Sequence, residues 1–184
     1  MQRSRMIGRM IAAAVVAVSG NVLAAKTGAH VHGEATLQVV QDGTTVTIHL
    51  ESPLENLVGF EHAPRNEMQK QKVNAMAEKL RQPETLFALT PAAQCNPGPV
   101  QLTAPVLKLD DAEKNSRSEQ KKDDGHAGLD AEMTFTCAVP AALKEIEVKL
   151  FDAFGGIHRI DAQVAGPRGQ SAAKLTSRKR RLSW

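Results

Sequence analysis

The sequence predicts an α+β fold: a single domain on an antiparallel β-sheet of about six to seven strands, opened by a β-hairpin and covered by one main helix. Three observations lead there. Several short segments alternate apolar and polar residues at period two. One segment carries its apolar residues at helical spacing. Turn dipeptides and prolines separate these segments.

Residues 1–24 read as a secretory signal peptide that precedes the domain. MQRSRMIGRM carries Arg3, Arg5 and Arg9 with no acid, IAAAVVAV is a short apolar core, and Val22-Leu23-Ala24 is a small-residue exit. The apolar run falls short of the roughly 20 residues that span a bilayer. An uncleaved anchor is therefore the weaker alternative, and a periplasmic chain without stable membrane insertion is expected. Lys and Arg number 23 and Asp and Glu 20. Without the three leader arginines the chain is formally neutral. Arg168, Lys174, Arg178, Lys179, Arg180 and Arg181 lie after Pro167, where no acid occurs. The domain is thus expected over 25–176, with a solvated basic tail over 177–184. Such a tail could touch anionic lipid or nucleic acid, but an exported chain rarely meets nucleic acid, so no nucleic-acid partner is expected.

The hairpin comes first. Over residues 31–40, Val31, Ala35, Leu37 and Val39 share one side, and over 45–51 Val46, Ile48 and Leu50 do the same. Asp42-Gly43 between them signals a two-residue type I′ turn. That turn sets Gln41 opposite Thr44, Leu37 opposite Ile48, Thr36 opposite His49 and Glu34 opposite Glu51. SPLENLVGFEHAP then reads as a connection. In RNEMQKQKVNAMAEKLRQ, Val73, Met76, Ala77 and Leu80 recur at helical spacing, with Asn66 as cap and Pro83 as stop. Further strands are expected in VQLTAPVLKL, AEMTFTCAV, EIEVKLF and IHRIDAQVAG, and a last one in QSAAKLT. Residues 108–132, rich in charge and poor in apolar side chains, are expected as a long mobile loop.

Two cysteines, Cys95 and Cys137, are expected to form a disulfide in an oxidising compartment. Closing a loop of that length contributes roughly 3–4 kcal/mol in the chain-entropy account. A thiolate metal site or a redox pair fits less well, since there is no Cys-x-x-Cys and no third cysteine.

The chemistry-bearing residues cluster near the start. If the strand begins at residue 30, His30, His32 and Glu34 point together, spaced roughly 6.5–7 Å apart along it. Two imidazoles at that spacing can converge on one ion. The expected register adds Glu51 and His49 to this face, and opposed carboxylates call for a cation between or beside them. Such a nitrogen and oxygen donor set suits zinc, less well nickel or copper, and poorly magnesium. The plainer alternative is a polar strand face. Glu61 and His62, just before the helix, form a second small cluster, although Glu61 could equally cap the helix. His126 in the charged loop is a further candidate ligand. His49 alone and His158 read as ordinary cross-strand or exposed residues. There is no Gly-x-Ser-x-Gly, no phosphate-cradling glycine loop and no His-Glu-x-x-His, so binding is expected and enzymatic turnover is not.

HVHGEATLQV, ESPLENLVGFEHAP, LFAL, TFTC and LFDAFGGIHRIDAQV together resemble the ZrgA family of periplasmic proteins associated with zinc uptake. The resemblance covers roughly residues 28–175, and the HxHG and SPxxNLVGFEHAP segments are its most specific parts. It implies periplasmic Zn2+ binding in support of an ATP-driven (ABC-type) importer. Carried over residue by residue, it reaches His30, His32, Glu51, Glu61 and His62. The loop before TFTC departs from the family's histidine-dense tract, because His126 is its single histidine. That departure argues against high-capacity binding and leaves either a single site on the sheet face or a domain that has lost strong binding. Affinity is expected to fall with pH through the ordinary imidazole range, near 6.5. The rival reading is an envelope interaction domain whose polar sheet face binds a protein partner; a hydrolytic metalloenzyme ranks last.

Overall fold

The alternating segments after residue 33 pair as the opening hairpin, β1 (Glu34–Asp42) with β2 (Thr45–Pro53). The computed structural model describes residues 31–108 and 128–184, so the leader, His30 and His126 lie outside the described residues. Leu37, Val39, Val46, Ile48 and Leu50 are buried as the alternation predicts. Val31 is not: it precedes the strand and is 53% exposed.

The turn differs from expectation. Asp42 pairs with Thr45, so the two-residue loop is Gly43-Thr44. Gly43 takes a positive φ of 55° while Asp42 does not, as fits a type II′ turn; type I′ on Asp42-Gly43 would need both. This two-residue shift keeps every side chain on its face but changes its neighbours. Glu51 faces Thr36, and His49 faces Gln38. Glu34 lies beyond the last paired position, so the expected Glu34–Glu51 opposition does not occur.

The later strands are β3 (Phe87–Leu89), β4 (Cys95–Thr103), β5 (Gly128–Cys137), β6 (Glu145–Val148), β7 (Arg159–Gly166), β8 (Gly169–Leu175) and β9 (Arg181–Ser183). Since β5 already starts at Gly128, residues 128–132 are strand and not loop. Six strands form one sheet in the order β4-β5-β2-β1-β7-β8, and β3-β6-β9 form a smaller one. The large sheet is mixed, not wholly antiparallel: β1 runs parallel to β7, with Leu37 beside Ala162. Parallel neighbours need a long crossover, and here the chain between the two strands supplies it.

Helices follow local chemistry. α1 (Leu54–Val58) forms inside the segment expected as a connection, with Leu54 and Val58 buried. In α2 (Glu67–Leu80), the Asn66 side chain accepts from the Gln69 N–H at 2.9 Å, and Val73, Met76, Ala77 and Leu80 face the core as their spacing predicts. Pro83 opens α3 (Pro83–Leu86), since a ring-locked φ suits the first helical position. α4 (Leu150–Ala153) follows β6. One core joins the inner face of the large sheet to α2 and the small sheet, through residues such as Leu50, Met133, Met76, Phe87 and Ile146. The outer face carries Thr47, His49, Glu51, Asp130 and Glu132 toward solvent.

Cys95 and Cys137 stand opposite one another on β4 and β5 and are bonded. Their separation of 42 residues corresponds to about 4 kcal/mol of loop-closure entropy.

The basic C-terminal segment is not merely solvated. β9 pairs with β6, and Leu182 is 1% exposed. The Trp184 indole N–H donates to Gln41 Oε1 at 3.2 Å, and Arg180 pairs with Asp152 at 2.5 Å. One buried leucine and a partner strand suffice where charge alone suggested a free tail. Leu182→Ala should therefore cost about 2–3 kcal/mol, measurable as a lower urea midpoint at unchanged slope.

Candidate metal centre

His32 sits in a turn ahead of β1, not on the strand. The Glu34 N–H donates to the Val31 carbonyl at 3.0 Å, and Gly33 takes a φ of +81°. A Cβ at Gly33 would lie 2.9 Å from the His158 ring, so both conformation and space call for glycine. The Gly33 carbonyl accepts from the N–H groups of His158 and Arg159 at 2.8 and 2.9 Å. The buried Asn56 side chain completes the clamp. Its Oδ1 accepts from Gly33 N–H at 2.7 Å, and its Nδ2 donates to the Glu34 carbonyl at 2.8 Å. The turn is thus tied to α1 and to the start of β7.

That clamp brings three side chains from separate stretches together. Glu55 stands in the first turn of α1. Gly59 ends the helix with a left-handed φ of 85°, Phe60 is buried behind it, and Glu61 is turned back toward the same place. His32 Nε2 lies 3.0 Å from Glu55 Oε2 and 3.4 Å from Glu61 Oε1, and one ligand atom from each residue falls within 4.8 Å of the others. In a tetrahedral zinc site with bonds of ~2.0–2.1 Å, neighbouring donor atoms stand ~3.3 Å apart. The separations from Nε2 straddle that edge.

A second triad lies on the outer face of the large sheet. His49 Nε2 is 3.3 Å from Glu51 Oε1 and 3.7 Å from Asp130 Oδ1.

The expected site residues are therefore redistributed. His32 and Glu61 join one triad and Glu51 the other, while His30 and His126 lie outside the described residues. His32 and Glu34 do not share a face: the chain reverses at Gly33, and Arg159 takes Glu34 in an ion pair at 2.6 Å. His62 enters neither triad. Its ring stacks on Phe60 at 5.1 Å, and its Nδ1 lies 2.8 Å from the Ala63 carbonyl. A carbonyl can only accept, so Nδ1 is the donor here, and in the neutral ring Nε2 then carries the lone pair.

Sequence reasoning missed Glu55 and Asp130. Glu55 was hidden in a stretch read as irregular connection, although ENLV followed by glycine is a short helix with its acid in the first turn. Asp130 was assigned to the charged loop, and only the β2–β5 register sets it beside Glu51.

Among the described residues no helix is long and apolar enough to cross a membrane. The fold and site thus define a β-rich domain that presents clustered imidazole and carboxylate donors. The model of the ZrgA family, described as zinc uptake proteins, matches residues 29–184, and the chain belongs to that family. No curated protein matches the chain.

Proposed function

We propose that the protein captures Zn2+ in the periplasm at His32, Glu55 and Glu61 and delivers it to an ATP-driven importer. The observation that carries this reading is the convergence of one imidazole and two carboxylates, from three separate stretches, at donor separations suited to zinc. Family membership supplies the cargo, and the leader sequence supports the compartment.

Capture needs a neutral imidazole and ionised carboxylates, so binding displaces protons from whatever fraction is protonated. Delivery needs reversibility. Three protein ligands leave one position of a tetrahedral ion open. A water can hold that position in transit and a ligand from the importer can take it on arrival. His30, two residues from His32 in the chain, and His62, with its available Nε2, are the imidazoles nearest in sequence that could close the shell during storage. The side chain of His32 is 63% exposed, which suits exchange more than permanent retention. We read the protein as a binder, not an enzyme.

The test is calorimetric titration of untagged residues 25–184 with Zn2+, alongside growth of a deletion strain under zinc starvation. Saturable binding and a growth defect restored by the unaltered gene are expected. Heat no larger than that of nonspecific association would end the zinc reading.

A further inference from the structure

We infer that the outer face of the large sheet carries a second divalent-cation site, formed by His49, Glu51 and Asp130 and separate from the His32 triad. Its basis is the sheet register. Glu51 on β2 and Asp130 on β5 are direct cross-strand partners. Both side chains point away from the core, because their neighbours Leu50, Leu129 and Ala131 are buried. Like charges directly opposite one another destabilise a strand pair, and the fold holds these two together.

Among the described residues, the local cations do not relieve them. Arg159 is engaged with Glu34 at 2.6 Å and Asp161 at 3.7 Å. Among the described residues, no lysine or arginine pairs with Glu51 or Asp130. Among the described residues, the group paired with both carboxylates is the His49 imidazole, which is positive only when protonated. Glu132, cross-strand from His49 on the same face, adds a further acid. Neutral His49 instead offers a nitrogen donor 3.3 and 3.7 Å from the two carboxylate oxygens, close to the ~3.3 Å edge of a tetrahedral zinc shell. One nitrogen with two oxygens is the donor set of a borderline cation, not of magnesium.

The two triads differ in construction. The His32 site is assembled from a turn, a short helix and the segment after it. The His49 site stands on two adjacent strands of the central sheet, where backbone pairing fixes each Cβ before any ion arrives. Such preorganisation offsets the greater exposure of its carboxylates. It also gives the chain a second equivalent without a histidine-rich loop.

The choice of Zn2+ as the probe rests on the proposed function, but the site does not. Titrating the untagged chain with Zn2+ should give two equivalents. His49→Ala with Asp130→Asn should leave one, at the affinity of the His32 triad. His32→Ala with Glu61→Gln should also leave one, and the fourfold variant none. All four positions are solvent-facing or partly so, and circular dichroism verifies that each variant is folded. A single equivalent removed only by the His32 pair of changes would overturn the second site and leave the proposed function standing. A single equivalent removed only by the His49 pair would uphold this site and overturn the His32 assignment.

Discussion

His32→Ala should lower zinc affinity at the proposed triad by at least about 100-fold, or roughly 2.7 kcal/mol. Losing an outer partner of a ligand already costs 10–100-fold, and losing the nitrogen ligand itself costs more. What remains of the triad is the two carboxylates of Glu55 and Glu61, without its nitrogen donor. Glu61→Gln should act in the same direction by removing charge while keeping shape. The double change should lose little more than the worse single change, since ligands of one ion act as a unit and their effects do not add. The fold should be indifferent, because His32 stands in an exposed turn whose anchoring comes from Gly33 and Asn56 and not from the imidazole. Arg159→Ala is the matching control. It removes the partner of Glu34 at a partly exposed pair, costs no more than about 1 kcal/mol, and should leave zinc affinity unchanged. Competition titration against a chelator measures the affinities, and thermal midpoints without metal measure the fold. A His32→Ala chain with undiminished affinity at both equivalents would remove this triad from the capture site.

Local rules and long-range assembly explain which features the sequence disclosed. Period-two alternation found β1 and β2, and the Asn66 cap with the Val73–Met76–Ala77–Leu80 stripe found α2, because each signal is complete within a few residues. The cysteine pair was legible because two residues allow only one intramolecular bridge. The hairpin register was misplaced by two because Asp-Gly and Gly-Thr are adjacent, and the dipeptide rule does not say which pair closes the strands. β9 was invisible for a different reason: three residues with one buried leucine are too few for periodicity, and the pairing with β6 that makes them a strand lies elsewhere in the chain. The His32–Glu34 stretch shows both limits. A single glycine with positive φ moved His32 off the strand, and the parallel β1–β7 contact brought Arg159 to claim Glu34. The two ends of the motif therefore part: His32 meets Glu55 and Glu61, and Glu34 meets Arg159. Glu55 and Asp130 became visible only once α1 and the β2–β5 register were in place.

Asn56→Ala should destabilise the protein by about 3–5 kcal/mol and, separately, loosen zinc at the His32 triad. The side chain is buried and serves the Gly33 N–H, the Glu34 carbonyl and, at 3.3 Å, the Ser52 hydroxyl. Each buried group left without its partner costs about 1–3 kcal/mol. Gly156 packs directly on the Asn56 backbone, where an added Cβ would lie 2.5 Å from the Asn56 carbonyl oxygen, so this stretch of α1 is held from a second side. Asn56→Asp is the sharper variant. It retains an acceptor for Gly33 but sets a carboxylate against the Glu34 carbonyl, and should be at least as damaging as alanine. The consequence for metal follows from geometry. Without the clamp, the turn carrying His32 is no longer tied to the helix carrying Glu55, and binding must supply the ordering that the folded chain now provides. A ligand that binds only the folded state stabilises it by RT ln(1 + [L]/Kd), so at a fixed zinc concentration a weaker site gives less, and the zinc-induced rise in thermal midpoint should shrink in Asn56→Ala beyond what lower stability alone explains. His32→Ala gives the opposite signature: metal-free midpoint preserved and the triad's contribution to the zinc-induced rise lost. If Asn56→Ala lowered stability yet bound zinc at the His32 triad with full affinity, the turn would have to be ordered by its remaining bonds to His158 and Arg159, and the clamp would be a feature of the fold alone.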